Sequence, residues 1–96
     1  MSEQNLVDPY TIFIGNIPYS ITEDELHNLA VTYGEIAAAA VVRDERERSR
    51  GFGFIRFVES NAAEAAVQAL HGSELQQRVI RVGLTRSDSR YLSLVA

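Results

Sequence analysis

The sequence contains no cysteine, so neither a disulfide framework nor a thiolate metal site is open to it, and a reducing compartment, cytosol or nucleus, is the expected setting. It contains no lysine either. All nine basic residues are arginine, the side chain best suited to bidentate phosphate contacts and to stacking on flat rings, although compositional bias alone would give the same count. No uninterrupted apolar run approaches the ~20 residues needed to cross a bilayer. The N-terminus, "MSEQNLVDPY", lacks the basic and apolar regions of a secretory signal, so no membrane partner is expected. What is present, 96 residues with 46% hydrophobic content, suits one compact domain and is too short for two.

The formal net charge of -4 argues at first against a polyanionic partner, but the charges are segregated. Residues 1–35 carry six acids (Glu3, Asp8, Glu23, Asp24, Glu25, Glu35) and no base, and residues 57–77 add Glu59, Glu64 and Glu74. Residues 43–56 hold five arginines against three acids, and residues 78–90 hold four against Asp88. The positive charge is thus confined to two short stretches.

Periodicity gives the order of elements. "TIFIGNI", Thr11–Ile17, is β-branched and aromatic and is closed by Pro18, which predicts a strand. Thr22 and Glu25 form a capping box for a helix carrying Leu26, Leu29, Ala30 and Tyr33, ended by Gly34. "EIAAAAVV", Glu35–Val42, is ambiguous, since its alanines favour helix; its shortness and its terminal valines favour strand, the reading adopted here. After the mixed-charge loop "RDERERSR", the segment Arg50–Phe57 alternates as a strand. Ser60 or Asn61 caps a second helix with Ala63, Ala66, Val67 and Leu70 on one face and Gly72 behind it, and Arg78–Leu84 alternates as a fourth strand. Strand, helix, strand, strand, helix, strand is the split βαβ arrangement of an α+β, ferredoxin-like fold: a four-stranded antiparallel sheet with two helices on one face. The domain is expected over residues 9–86, between tails at 1–8 and 87–96.

Three of the four phenylalanines fall within "RGFGFIRF", Arg50–Phe57. If Gly51, Gly53, Ile55 and Phe57 face the helices, Arg50, Phe52, Phe54 and Arg56 stand on the bare face. On the first strand Ile12 and Ile14 point inward and Phe13 outward. Because the first and third strands are neighbours in this topology, Phe13, Phe52 and Phe54 are expected to meet as an exposed aromatic platform, with Phe57 in the core.

"RGFGFIRF" resembles the RNP1 octapeptide of the RNA recognition motif, with Ile55 where valine is usual, and "IFIGNI", Ile12–Ile17, resembles the RNP2 hexapeptide. The likeness runs over about residues 9–86, taking in "ITEDEL", Tyr33–Gly34 and "ALHG". It implies binding of single-stranded RNA, without catalysis or a cofactor, in the processing, stability or translation of mRNA. By the same resemblance Phe13 and Phe54 each stack one base, Phe52 packs on the sugars and Arg50 pairs with a phosphate, while glycine at 51 and 53 leaves room for the helices. Arg56, Arg81 and Arg86 are further candidate RNA contacts. Arg43, Arg46 and Arg48, on the loop between the second and third strands, either close over the RNA or neutralise their acidic neighbours in solvent.

Two other readings stay open. An exposed aromatic face also suits a protein partner. The apolar end "YLSLVA", through Tyr91, Leu92, Leu94 and Val95, could fold back over outward Ala40 and Val42 and mask the sheet, in which case truncation after Arg86 strengthens RNA binding; equally, it could be a linker. A monomer is expected. His27 and His71 lie on separate helices with no nucleophile or ligand set beside them. "GFG" lies within a strand and is no phosphate-cradling loop, and Glu23, Asp24 and Glu25 complement a helix N-terminus.

Overall fold

The alternating β-branched residues of "TIFIG" lie at the end of β1, Val7–Gly15, in the computed structural model, which describes residues 7–96. The strand stops sooner than Ile17 because Asn16 turns the chain with φ at 59°, a conformation asparagine tolerates. Ile17 then leaves the sheet and is fully buried, its N–H donating to the Gly51 carbonyl at 3.0 Å. Most of the expected N-terminal tail, residues 1–6, lies outside the described residues.

Helix α1, Glu23–Ala30, starts at the expected capping box: the Glu25 N–H donates to Thr22 Oγ1 at 3.2 Å, and the Thr22 N–H to Glu25 Oε1 at 2.9 Å. It is shorter than the periodicity suggests, because Val31–Tyr33 tightens into a 3₁₀ turn before Gly34. The alanine-rich segment is a strand, β2, Ile36–Arg43, pairing with β3, Ser49–Phe57; the sheet partner overrides alanine's helix propensity. Helix α2, Ser60–Leu70, is not capped by the side chain of Ser60 or Asn61. Its N-cap is Glu59, whose carbonyl accepts from the Ala62 N–H at 3.2 Å, and Gly72 follows its end in the left-handed region at φ 83°.

The expected fourth strand, Arg78–Leu84, is divided. Glu74–Leu75 (β4) and Arg78–Val79 (β5) form a small hairpin, and only Arg81–Arg86 (β6) joins the main sheet. Ile80 makes the break: it is buried, its N–H donates to the Ser73 carbonyl and its carbonyl accepts from the Gly72 N–H, both at 2.9 Å. Alternation continues through such a break, so periodicity cannot reveal it.

The antiparallel sheet has the order β2-β3-β1-β6, with β1 and β3 as central neighbours and both helices on one face. Between sheet and helices lie Ile12, Ile14, Leu26, Ile55, Phe57 and Ala63, all fully or almost fully buried. Each large apolar side chain removed from water in this way contributes about 1.5–3 kcal/mol. A Cβ at Gly53 would strike the Ala40 carbonyl oxygen and lie 3.1 Å from Leu26 Cδ1, so glycine there does admit α1. Gly51 does not serve a helix: at φ 84° it is left-handed and faces Tyr19, 3.1 Å from where its Cβ would be.

Candidate nucleic-acid interface

Alternation along the central strands sends Thr11, Phe13 and Gly15 of β1 to the face away from the helices. From β3 it sends Arg50, Phe52, Phe54 and Arg56, with Phe13 paired directly to Phe54 and Gly15 to Phe52. The Phe13 ring centroid is 5.8 Å from those of Phe52 and Phe54, which are 6.2 Å from each other, spacings at which edge and tilted ring contacts stabilise. A Cβ on Gly15 would sit 2.6 Å from Phe13 Cζ, so glycine here lets the ring lie across the sheet. Gly83, opposite Phe13 on β6, has open space above it. Phe13 and Phe52 are half-buried, each keeping part of its ring in water.

Phe54 departs from the expected platform: it is only 3% exposed. What covers it is the C-terminal segment. The Tyr91 ring stacks on it with centroids 5.5 Å apart and planes 26° from parallel, and Val95 and Val42 are buried in the same cluster, flanked by Ala38, Ala40 and Leu92. The physical reason is that the small apolar side chains of β2 offer a smooth bed on which Tyr91, Leu92 and Val95 leave water. Leu94, the remaining apolar residue of this end, stays 48% exposed.

The fold-back is built by local bonds. Arg86 donates twice to Asp88, at 2.9 and 3.0 Å, the Tyr91 N–H donates to Ser89 Oγ at 3.2 Å, and Arg90–Leu94 forms a 3₁₀ turn. Arg90 Nη2 and Arg50 Nη1 donate to the Tyr91 hydroxyl at 3.1 and 3.3 Å. The hydrogen bond from Arg90, aided by the charges of Arg90 and Arg50 and opposed by partial desolvation, holds the phenol below the ordinary tyrosine pKa.

The candidate arginines separate into groups. Arg50 lies over the Phe52 ring at 5.5 Å, and Arg81, directly opposite Gly15, is exposed. Arg56 reaches Asp8 Oδ2 and Thr11 Oγ1, both at 3.4 Å, and covers the Tyr10 ring at 5.6 Å. Arg86 is held by Asp88 as above. On the β2–β3 loop, Arg48 pairs with Asp44 at 3.0 Å while Arg46 is exposed. Asp44 is held below the ordinary carboxylate range, first by the Arg48 N–H and then by the Arg46 N–H and the Arg48 guanidinium. Arg43 points away from the aromatic face: its Nη2 donates to Glu23 Oε1 of α1 at 3.1 Å, and Glu23 Oε2 accepts from the Val41 N–H at 3.1 Å.

Two side chains that the sequence did not single out complete the Phe52 end. Asn16 donates to the Val79 carbonyl at 2.8 Å and accepts from Arg78 Nη2 at 2.9 Å, which ties the β4–β5 hairpin to the end of β1. Arg78 is thereby set 6.0 Å from the Tyr19 ring, and both border a cleft shared with Phe13, Phe52, Arg50 and Arg81. No periodicity reports a link between Asn16 and Arg78, which are remote in sequence.

A basic, aromatic face on the helix-free side of a βαββαβ sheet coincides with a family model described as the RNA recognition motif, which matches residues 12–81. The chain belongs to that family. RNA recognition motifs are binding modules, and the chain is accordingly no enzyme. It is 47% identical over 72 residues to glycine-rich RNA-binding protein 3, mitochondrial, of Arabidopsis thaliana, covering 74% of this chain and 23% of that protein. It is 40% identical over 77 residues to the putative RNA-binding protein RbpE of Nostoc sp., covering 79% and 78%. The solved structure of the Rna15 RRM with bound RNA (GU) superposes with a TM-score of 0.75 at 30% identity, covering 88% of this chain and 92% of that one. The chain spans only 23% and 13% of the length of two of its curated relatives, the second being polyadenylate-binding protein 5 of Arabidopsis thaliana. Relatives named mitochondrial and chloroplastic both occur, so this RNA recognition motif is not assigned to the cytosol or nucleus by its kinship. No helix among the described residues is long and apolar enough to cross a membrane.

Proposed function

We propose that the chain binds single-stranded RNA on the helix-free face of its sheet, receiving bases on Phe13 and, once it is uncovered, on Phe54, with Phe52 packed against the sugars. The observation that carries this reading is the Phe13 ring lying across Gly15 beside Phe52, with Arg50 and Arg81 at its margin. Flat rings accept any base face, each stacked base contributing about 1–3 kcal/mol, and the arginines supply donors to the phosphates. Kinship with RNA-binding proteins and with an RRM carrying bound RNA supports the same reading. Two or three bases offset only part of the cost of association, so the affinity of the isolated chain is about micromolar or weaker. By family kinship, the biological setting we propose is the processing, stability or translation of mRNA.

Protein contact is a second reading with one observation in its favour: the face already holds a polypeptide segment, Arg90–Leu94 with Val95. Titration of the full chain with short homopolymeric RNAs, followed by amide shifts, separates the two. Shifts at Phe13 and Phe52 at micromolar to low millimolar RNA support RNA binding. No shift on the face at millimolar RNA with any homopolymer leaves protein contact as the better account.

A further inference from the structure

The arginines are not equally neutralised. Four of the nine are held by carboxylates: Arg43 by Glu23, Arg48 by Asp44, Arg56 by Asp8 and Arg86 by Asp88. Of the others, Arg50, Arg78 and Arg81 border a single cleft at the end of β1, and no acidic side chain borders it with them. In a chain of net charge -4, three cations without a carboxylate partner thus converge on one place.

Two of the three are fixed by their neighbours. Arg78 donates to the Asn16 carbonyl at 3.3 Å and to Asn16 Oδ1 at 2.9 Å, and lies 6.0 Å from the Tyr19 ring. Arg50 lies over the Phe52 ring at 5.5 Å. Arg81 stands opposite Gly15 and is exposed. Holding like charges in one cleft costs free energy that a bound anion recovers. Tyr91 meets the Phe52 ring at 5.5 Å but does not border the cleft, which stays open with the C-terminal turn in place.

Size and charge together narrow the ligand. The cleft holds about 400 Å³, near the small end of the range for sites that take one small molecule, so it admits about one nucleotide. An internal nucleotide brings a phosphodiester with a single negative charge. A terminal phosphate monoester brings close to two, with three oxygens able to accept hydrogen bonds. Three arginines match the second better than the first. We infer that this cleft is a terminal-phosphate site: it takes the end nucleotide of an RNA whose 5′ or 3′ end carries a phosphate monoester, the phosphate oxygens being shared among Arg50, Arg78 and Arg81. The Tyr19 and Phe52 rings pack beside the nucleoside. This inference rests on the RNA-binding reading above and narrows it to strands with one phosphorylated end. Hydroxyl-ended RNA still binds the face but leaves part of the charge in the cleft unmatched.

The test titrates the full 96-residue chain with random-sequence tetranucleotide RNAs bearing a 5′-phosphate, a 3′-phosphate or hydroxyls at both ends, followed by NMR of the amides and the arginine Nε–H groups. One phosphorylated end is expected to tighten binding about tenfold over hydroxyl-ended RNA, the scale of one added charge-assisted contact, while the other end gives less than about twofold. The Nε–H signals of Arg50, Arg78 and Arg81 should shift further with the preferred end than with hydroxyl-ended RNA. In Arg78→Gln the tenfold gain should shrink to about twofold or less, and Arg81→Gln, a change at an exposed position, should reduce it likewise. No gain from either end, or an equal gain from both, is general attraction of charge and overturns the terminal site while leaving RNA binding standing. A gain that survives both substitutions undiminished overturns it too. The absence of any shift on the face with all three RNAs overturns the RNA-binding reading and the terminal site with it. Because the three RNAs are first compared on the natural sequence, the result does not depend on how well either variant folds.

Discussion

Tyr91 and Phe54, remote in sequence, form a stacked pair with ring centroids 5.5 Å apart on the face of the sheet opposite the helices. The described residues therefore form two apolar clusters, one between sheet and helices and a smaller one beneath the C-terminal turn. Substitutions in the two clusters should behave differently.

Phe57 belongs to the first cluster and is 1% exposed; Phe54 belongs to the second. Phe57→Ala is expected to cost about 3–5 kcal/mol, a large part of the stability of so small a domain. Phe54→Ala should cost less, about 1–3 kcal/mol, because the segment above it can swing away and no cavity need persist. Urea unfolding of both variants measures the difference, and equal losses would contradict the two-cluster description.

Gly15 makes room for Phe13. In Gly15→Ala the new methyl would occupy the position of the ring edge, forcing Phe13 to tilt away from the sheet. RNA affinity should fall about three- to tenfold, as expected for partial loss of one stack, while the melting temperature moves little, because φ at this residue is not in the left-handed region. A variant binding as tightly as the natural sequence would remove Phe13 from the site.

Arg81 and Arg43 are both arginines in the basic stretches, yet only Arg81 stands on the aromatic face. Arg81→Ala should weaken RNA binding and lower the slope of log affinity against log salt by about 0.7, the loss of one phosphate contact on a single strand. Arg43→Ala should leave that slope unchanged, since its guanidinium is engaged with Glu23. Affinities measured at several salt concentrations decide both.

Glu23 joins α1 to β2. Burial alone would raise its pKa, but the Val41 N–H and the Arg43 guanidinium outweigh burial and hold the carboxyl below its ordinary 4.5. A depressed folded-state pKa contributes stability above the unfolded value and loses it as pH falls through the folded one. The melting temperature should therefore drop more steeply in the natural sequence than in Glu23→Gln between about pH 5 and pH 3. Parallel curves would mean that the ion pair contributes nothing to stability. Its partial exposure keeps the expected effect modest.

Much of this was legible before any coordinates. The capping box at Thr22 and Glu25, the inward Ile12, Ile14 and Ile55, the outward Phe13 and the role of Phe57 all follow from short-range rules: a cap needs three residues and a strand face needs every second one. The family signature in Arg50–Phe57 is equally local. The division of the fourth strand at Ile80 was not legible, because a buried residue that leaves the sheet alternates as well as one that stays.

What the sequence by itself determined is the order of elements and the side of the sheet to which each aromatic side chain points, since both are set by neighbours along the chain. What only the tertiary structure decided is which of those groups meet water. Phe54 is covered, Arg43 is spent on α1, and Arg78 is brought to the site by Asn16, each through a contact between segments remote in sequence. Alternation fixes direction, but exposure depends on what else the folded chain lays over the surface, and a repeat of two residues carries no record of that.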